Sequence, residues 1–121
     1  METLGITFVP SEEGTFAATM PVEPRTHQPM GLLHGGATAA LAESLGSAGS
    51  HLLVSASGRA VVGIEVNVNH LKGARTGTVT ATGRLLHEGR STHVWDIRVT
   101  NEAGELIAIC RLTNLILQPR P

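Results

Sequence analysis

Residues 31–50 read GLLHGGATAALAESLGSAGS, and the fold turns on whether this run is a helix. Leu41, Leu45, Ala48 and Leu52 recur at spacings of four, three and four, one face of a 3.6-residue period. The pattern predicts a helix from about Gly35 to about Val54, roughly 30 Å long. Gly46 and Gly49 each weaken an isolated helix by about 1 kcal/mol relative to alanine. Their presence implies that another backbone comes close there. The one carboxylate, Glu43, stands roughly 200° around the helix from Leu41. Its neighbours on that side are Gly36, Ala39, Gly46, Ser47 and Ser50, with no Lys or Arg. A solvated face would carry long charged side chains. A small, nearly uncharged face implies packing or a pocket wall, and a carboxylate withdrawn from water there suits a general base.

Outward from this run the period changes. LGITFV (4–9) and TFAATMPV (15–22) predict two strands around the turn SEEG, a hairpin. Residues 23–31, with two prolines and a glycine, form a connector. Beyond SASGR the chain alternates. VVGIEVNVNH (61–70) places Val62, Ile64, Val66, Val68 and His70 on one face, with Glu65, Asn67 and Asn69 on the other. Strands over 78–89, 92–100 and 106–118 follow. The expected fold is α+β, a single domain over 1–121 with one long helix against a six-stranded antiparallel sheet. One helix covers one face of so wide a sheet, and its own far side also needs cover. Dimerisation meets that need.

Composition narrows the function. The formal net charge is −1, which gives no electrostatic case for binding nucleic acid or an anionic membrane. Cys110 is the only cysteine, so no intrachain disulfide forms. The N-terminus has early acids and no long apolar core, unlike a secretory signal. No apolar run approaches the roughly 20 residues of a membrane span. A soluble, cytoplasmic protein is expected. His27, His34, His51, His70, His87 and His93 are scattered without paired ligand spacing, so no metal is expected.

Two features carry chemistry. His34-Gly35-Gly36 opens the helix, where first-turn N–H groups lack intrahelical acceptors. Glycines there let a carbonyl or developing oxyanion approach the backbone. Glu43 is the second, with Ser47 one turn on and able to hydrogen-bond to the acid or to a water.

QPMGLLHGGATAALAESLGS resembles the hotdog-fold acyl-CoA thioesterases. The likeness is to the PaaI-like branch holding the Glu-dependent 4-hydroxybenzoyl-CoA and 1,4-dihydroxy-2-naphthoyl-CoA thioesterases. It rests on Gln28, His34-Gly35-Gly36 and Ala42-Glu43-Ser44, and continues through VVGIEVNVNHLKGAR, LLHEGRSTHVWDIRV and RLTNLIL. The resemblance implies a hotdog fold, the sheet wrapped around the helix, and hydrolysis of an acyl-CoA to free acid and coenzyme A. It implies Glu43 as general base or nucleophile and the Gly35 amide as donor to the thioester carbonyl. It implies that Gln28 and His34 assist at that carbonyl or order the loop, and that Ser47 positions the water. His70 is implied near the pantetheine and acyl group, and Arg90, Ser91 and Thr92 at the coenzyme A phosphates. No cofactor is implied beyond the coenzyme A of the substrate. The implied assembly is a homodimer, usually paired into a homotetramer. The small residues beside Glu43 leave room for a ring, so an aromatic acyl group is expected, while the sequence leaves open which one, a short acyl-CoA, and an acyl carrier protein thioester.

Helix geometry bears on the assembly independently. Gly35 and Glu43 lie about 12 Å apart along one helix, too far to serve one carbonyl. Two antiparallel helices from a dimer bring one subunit's N-terminus to the other's acid. HGG also resembles the oxyanion loop of α/β-hydrolases, but Ser44 lies inside a continuous helical pattern and not on a strand-turn-helix elbow. An acyl-thioester hydratase or dehydratase on the same fold, or a non-catalytic acyl-CoA-binding protein, are the alternatives.

Overall fold

The computed structural model describes residues 3–119. Strands β1 (Thr7–Val9) and β2 (Phe16–Pro21) precede helix α1 (Gly35–Val54). β3 (Ala60–His70), β4 (Thr78–Glu88), β5 (Thr92–Thr100) and β6 (Leu106–Leu117) follow. The six strands form one sheet in the order β1-β2-β4-β5-β6-β3, with every neighbouring pair antiparallel. The helix packs on the sheet, chiefly against β3 and β6, which is the hotdog arrangement that the resemblance implies. The first strand is shorter than the 4–9 expected. Gly5 has φ +74°, a conformation that turns the chain and that glycine alone adopts freely.

α1 begins where its cap allows. His34 sits at the N-cap in extended geometry, and its side chain accepts from the Gly36 N–H. Gly58, at φ +73°, turns the chain out after α1 and the short 3-10 turn Ser55–Ser57. The buried face is not the predicted leucine stripe in full. Leu41 and Leu45 are buried, but Ala48 is only half-buried and Leu52 is 66% exposed. The face is instead centred on Leu41, Ala42, Leu45, Gly46, Gly49 and Ser50. The reason is the sheet's largest side chain. A Cβ on Gly49 would lie 2.6 Å from Trp95 Cη2, and one on Gly46 would run into Leu112. The glycines admit side chains, not the second backbone expected from the sequence. Trp95, Leu112, Met20, Ile97, Val79 and Val99 fill the space beneath. Each such side chain contributes roughly 1.5–3 kcal/mol through removal from water.

A polar cluster is sealed under the helix. Ser50 Oγ accepts from Trp95 Nε1 at 2.8 Å and from Asn114 Nδ2 at 3.0 Å. Both are obligate donors, so the hydroxyl's own hydrogen goes to His93 Nδ1, 2.8 Å away. That leaves His93 neutral, with its proton on Nε2. Burial holds the imidazole below its ordinary value of 6.5, against a pull from Glu88 and with small pushes from Arg59 and His87.

β3 departs from simple alternation. Gly63 pairs with Asn114 and Glu65 with Thr113, so Ile64 is an extra residue, a bulge. One inserted residue reverses which face the strand presents. Val66, Val68 and His70 pair with Leu112, Cys110 and Ala108, all buried beneath the helix. Val62 pairs with Leu115, in the opposite phase from buried Asn114 and Ile116. Val62 therefore lies across the sheet from Val66, Val68 and His70, not in line with them.

Gly49→Ala should destabilise the protein by about 1–3 kcal/mol, because the tryptophan must move. Urea unfolding followed by Trp95 fluorescence measures this. His93 gives a pH test. The unfolded chain takes up the proton near pH 6.5 while the folded chain resists it. The stabilisation from a neutral His93 is complete above that pH and is lost as pH falls below it. The melting temperature should drop between about pH 7.5 and 5.5, and His93→Gln should flatten that slope.

Candidate active site

The loop before α1 is fixed by backbone bonds. Gln28 N–H donates to the Leu32 carbonyl at 2.7 Å, and His34 N–H to the Thr26 carbonyl at 2.7 Å. Leu33 N–H donates to the Ala74 carbonyl at 2.7 Å, tying the loop to the segment after β3. Gly31, at φ +80°, makes the tight turn between. The Gln28 side chain folds back so that Oε1 accepts the Met30 N–H. These bonds hold the start of α1 at one place beside the end of β3.

Four of the predicted residues meet there. Gln28, Gly35 and His70 line one open cleft of about 390 Å³, with Leu33 and Lys72 on its walls. His34 caps the helix beside it, Nδ1 accepting the Gly36 N–H at 2.8 Å. That bond leaves the neutral ring's hydrogen on Nε2. A Cβ on Gly35 would lie 3.0 Å from His70 Nε2, so the imidazole stands directly over that glycine. Gly35 N–H donates to no acceptor among the described residues. This is a free first-turn amide at the positive end of a helix dipole, an arrangement that suits it to an anionic or polarised oxygen.

Glu43 is elsewhere. It is exposed on α1, and its Oε2 lies over Gly63 of β3, 2.9 Å from where a Cβ would stand. Ser47 is half-buried one turn on. The packed, small-residue face expected around Glu43 is divided in the structure. Gly46 and Ser50 are buried against the sheet, Ala39 and Ser47 are half-buried, and Gly36 is open. The reason is again Trp95, which draws Gly46, Gly49 and Ser50 beneath the helix and leaves Glu43 at the rim. Within a single chain, nothing withdraws the carboxylate from water.

Arg90, Ser91 and Thr92 form a third group, at the turn between β4 and β5. The turn is tied to the end of β6 by Ile116 N–H donating to the Ser91 carbonyl at 2.7 Å and Gln118 Nε2 to the Arg90 carbonyl at 3.3 Å. The bond between Ser50 and His93 places this turn toward the C-terminal end of α1, away from Gly35. The structure thus brings Gln28, His34, Gly35 and His70 together and separates them from Glu43 with Ser47, and from Arg90, Ser91 and Thr92.

Sequence reasoning passed over Asn114. Its signal is a phase error. It falls in step with buried Cys110, Leu112 and Ile116, so a polar group stands where the strand is apolar. Among the described residues no three His, Cys, Asp or Glu side chains converge as metal ligands would. No helix among them is long and apolar enough to cross a membrane.

Residues 30–108 match the model of the thioesterase superfamily. The chain is 46% identical over 114 residues to the 1,4-dihydroxy-2-naphthoyl-CoA hydrolase of Escherichia coli, covering 94% of this chain and 83% of that one. A thioesterase from Pseudomonas aeruginosa superposes with a TM-score of 0.93 at 52% identity, covering 96% and 84% of the two chains. A Staphylococcus aureus thioesterase, solved as a glutamine-to-alanine mutant, superposes at 0.90 with 40% identity over 96% of each chain. A glutamate-to-alanine mutant of the same protein superposes at 0.90 with 42% identity over 95% of each chain. The chain belongs to the thioesterase superfamily. It is a thioester hydrolase with the hotdog fold.

Cys110 is not the nucleophile of such an enzyme. Burial, with a smaller effect from Asp96, pushes its thiol up to about 11. Native protein should react with Ellman's reagent far more slowly than unfolded protein, which should titrate as one thiol. The absorbance of released thionitrobenzoate checks both.

Proposed function

We propose that this enzyme hydrolyses an aromatic acyl-CoA at a site shared by two subunits, Glu43 of one chain working with the Gly35 amide of the other. The observation that carries this reading is the separation itself. The free amide and the acid ride on one rigid helix about 12 Å apart, and one thioester carbonyl must lie near both.

The sheet supports the pairing. β3 ends the strand order with one side unpaired along 11 residues. It exposes Val62, Ile64 and Val66 at 43%, 56% and 38%. A long apolar open edge invites another strand. A second copy about a two-fold axis supplies one, joins the two sheets and lays the helices antiparallel. That geometry also carries Arg90, Ser91 and Thr92 toward the partner's helix start, where they would meet the phosphates of coenzyme A. Two such dimers paired make the tetramer.

The chemistry follows from the groups. The thioester oxygen accepts from Gly35 N–H, with His70 and Gln28 lining the approach. Ser47 orients a water, and Glu43 takes its proton as the oxygen bonds to the acyl carbon. The tetrahedral oxyanion gathers negative charge at the helix N-terminus, where the interaction is stronger than in the ground state. Its collapse expels the thiolate of coenzyme A, which takes the proton from Glu43. Water, base and oxyanion donor suffice, so no cofactor is required. The S. aureus mutants support the roles of Gln28 and Glu43. The two alanine substitutions there are spaced as Gln28 and Glu43 are here. The E. coli relative supports an aromatic acyl group, as do the small Ala39 and Ser47 beside the acid. We place the enzyme in the cytoplasm.

Glu43→Gln should lower kcat by on the order of 10²–10⁴ with little change in KM, measured as thiol release across a panel of benzoyl-, 1,4-dihydroxy-2-naphthoyl- and short acyl-CoA thioesters. The aromatic members should show the higher kcat/KM. Mixing tests the shared site. Gly35→Pro removes the amide hydrogen at a helix position that accepts proline. Heterodimers of Gly35→Pro and Glu43→Ala subunits rebuild one of two sites, so about half the wild-type activity should return. Verified heterodimers that stay inactive would sink the shared site. In a single turnover in isotopically labelled water, a base mechanism labels the product acid and leaves Glu43 unlabelled.

A further inference from the structure

Asn114 is fully buried, and its amide cannot turn over. Nδ2 donates to the Gly46 carbonyl at 3.2 Å and to Ser50 Oγ at 3.0 Å. Ser50 is itself held by Trp95 and His93. Reversing the amide would set its oxygen against the Gly46 carbonyl, two acceptors with no hydrogen between them. Oδ1 therefore points away from the cluster, and it has no hydrogen-bond partner among the described residues. Buried side-chain oxygens are rarely left so.

Its direction is informative. A Cβ on Gly63 would lie 3.6 Å from Asn114 Oδ1 and 2.9 Å from Glu43 Oε2. Both oxygens border the space over Gly63, the one residue of β3 that has no side chain to fill it. Gly63 is the register partner of Asn114, and the bulge at Ile64 begins directly after it. An ionised carboxylate has no hydrogen to offer Oδ1. A carboxyl that has just taken a proton has one.

We propose that Asn114 is a positioning residue for Glu43. Its Oδ1 accepts the Glu43 O–H formed when water attacks the thioester, and Gly63 keeps the gap between them open. The inference rests on the reading of Glu43 as general base. In the step, a water O–H bond breaks as its oxygen bonds to the acyl carbon, and the proton passes to Glu43. Asn114 holds that O–H until the departing thiolate sulfur takes the proton. The bond exists only during turnover, so it acts on kcat and leaves substrate binding alone.

The test is a double-mutant cycle on the most rapidly hydrolysed thioester of the panel. Asn114→Leu should lower kcat on the order of tenfold, the size of one hydrogen bond made only in the reacting state, with KM unchanged. On the Glu43→Gln background, the same substitution should cost less than twofold. A methyl on Gly63 would stand 2.9 Å from Glu43 Oε2 and move the base itself, so the second variant is Asn114→Ala, which removes Oδ1 without adding bulk and should behave alike. It carries the test if Asn114→Leu fails to fold by Trp95 fluorescence. An unchanged kcat, a rise in KM alone, or an equal loss on both backgrounds overturns the role of Asn114 while Glu43 stands. Full activity in Glu43→Gln overturns both.

Discussion

The structure depends on how closely α1 can approach the sheet at Gly46 and Gly49. Trp95 and Leu112 occupy the space that two methyl groups would fill. That contact rotates the helix about its own axis and so decides which residues face inward. It seals Ser50 against Trp95, His93 and Asn114, and it leaves Glu43 at the rim beside β3. Two glycines that weaken the helix alone are what allow it to dock.

Docking leaves half of the helix's work undone. The sheet covers one side of α1 and ends at β3, whose outer edge has no partner strand among the described residues. Gln28, His34 and the Gly35 amide gather at the start of α1 with His70, at the far end of β3 from the β4–β5 turn. In the proposed dimer, the open edge and the divided site are one fact seen twice: a strand that lacks a neighbour and an acid that lacks a substrate are completed by the same second copy.

Much of this was legible in the chain. His34 before two glycines marks the helix start, and the apolar period carries the run to Val54, the limits that the structure has. The alternation of β4, β5 and β6 is plain because each has one buried face. Leu52 was misplaced because a leucine stripe and a glycine stripe compete for the inward side, and only the position of Trp95 settles it. A glycine stripe marks a close approach, but the expected partner, a second backbone, is replaced in the structure by the side chains of Trp95 and Leu112. The bulge at Ile64 was invisible, since VVGIEVNV alternates without a break and the insertion exists only relative to Asn114 on β6. Gln28, His34, Gly35 and His70 are each singled out by resemblance; the structure lines one cleft with Gln28, Gly35 and His70 and sets His34 at the helix cap beside it. The surroundings of Glu43 could not be read, because the expected packing is not present within its own chain.

The bulge at Ile64 has one more consequence. It divides β3 into two stretches of opposite polarity of meaning. Upstream, odd-numbered Val61 and Gly63 look under the helix; downstream, even-numbered Val66, Val68 and His70 do. Deleting Ile64 would remove only the bulge: Gly63 would still pair with Asn114 and Glu65 with Thr113, and both stretches would keep their sides. Deleting a paired neighbour such as Val62 would instead turn Val61 and the residue before it to the opposite faces. In descendants of this chain, the bulging residue is therefore the position in this stretch whose loss leaves the strand's two faces unchanged.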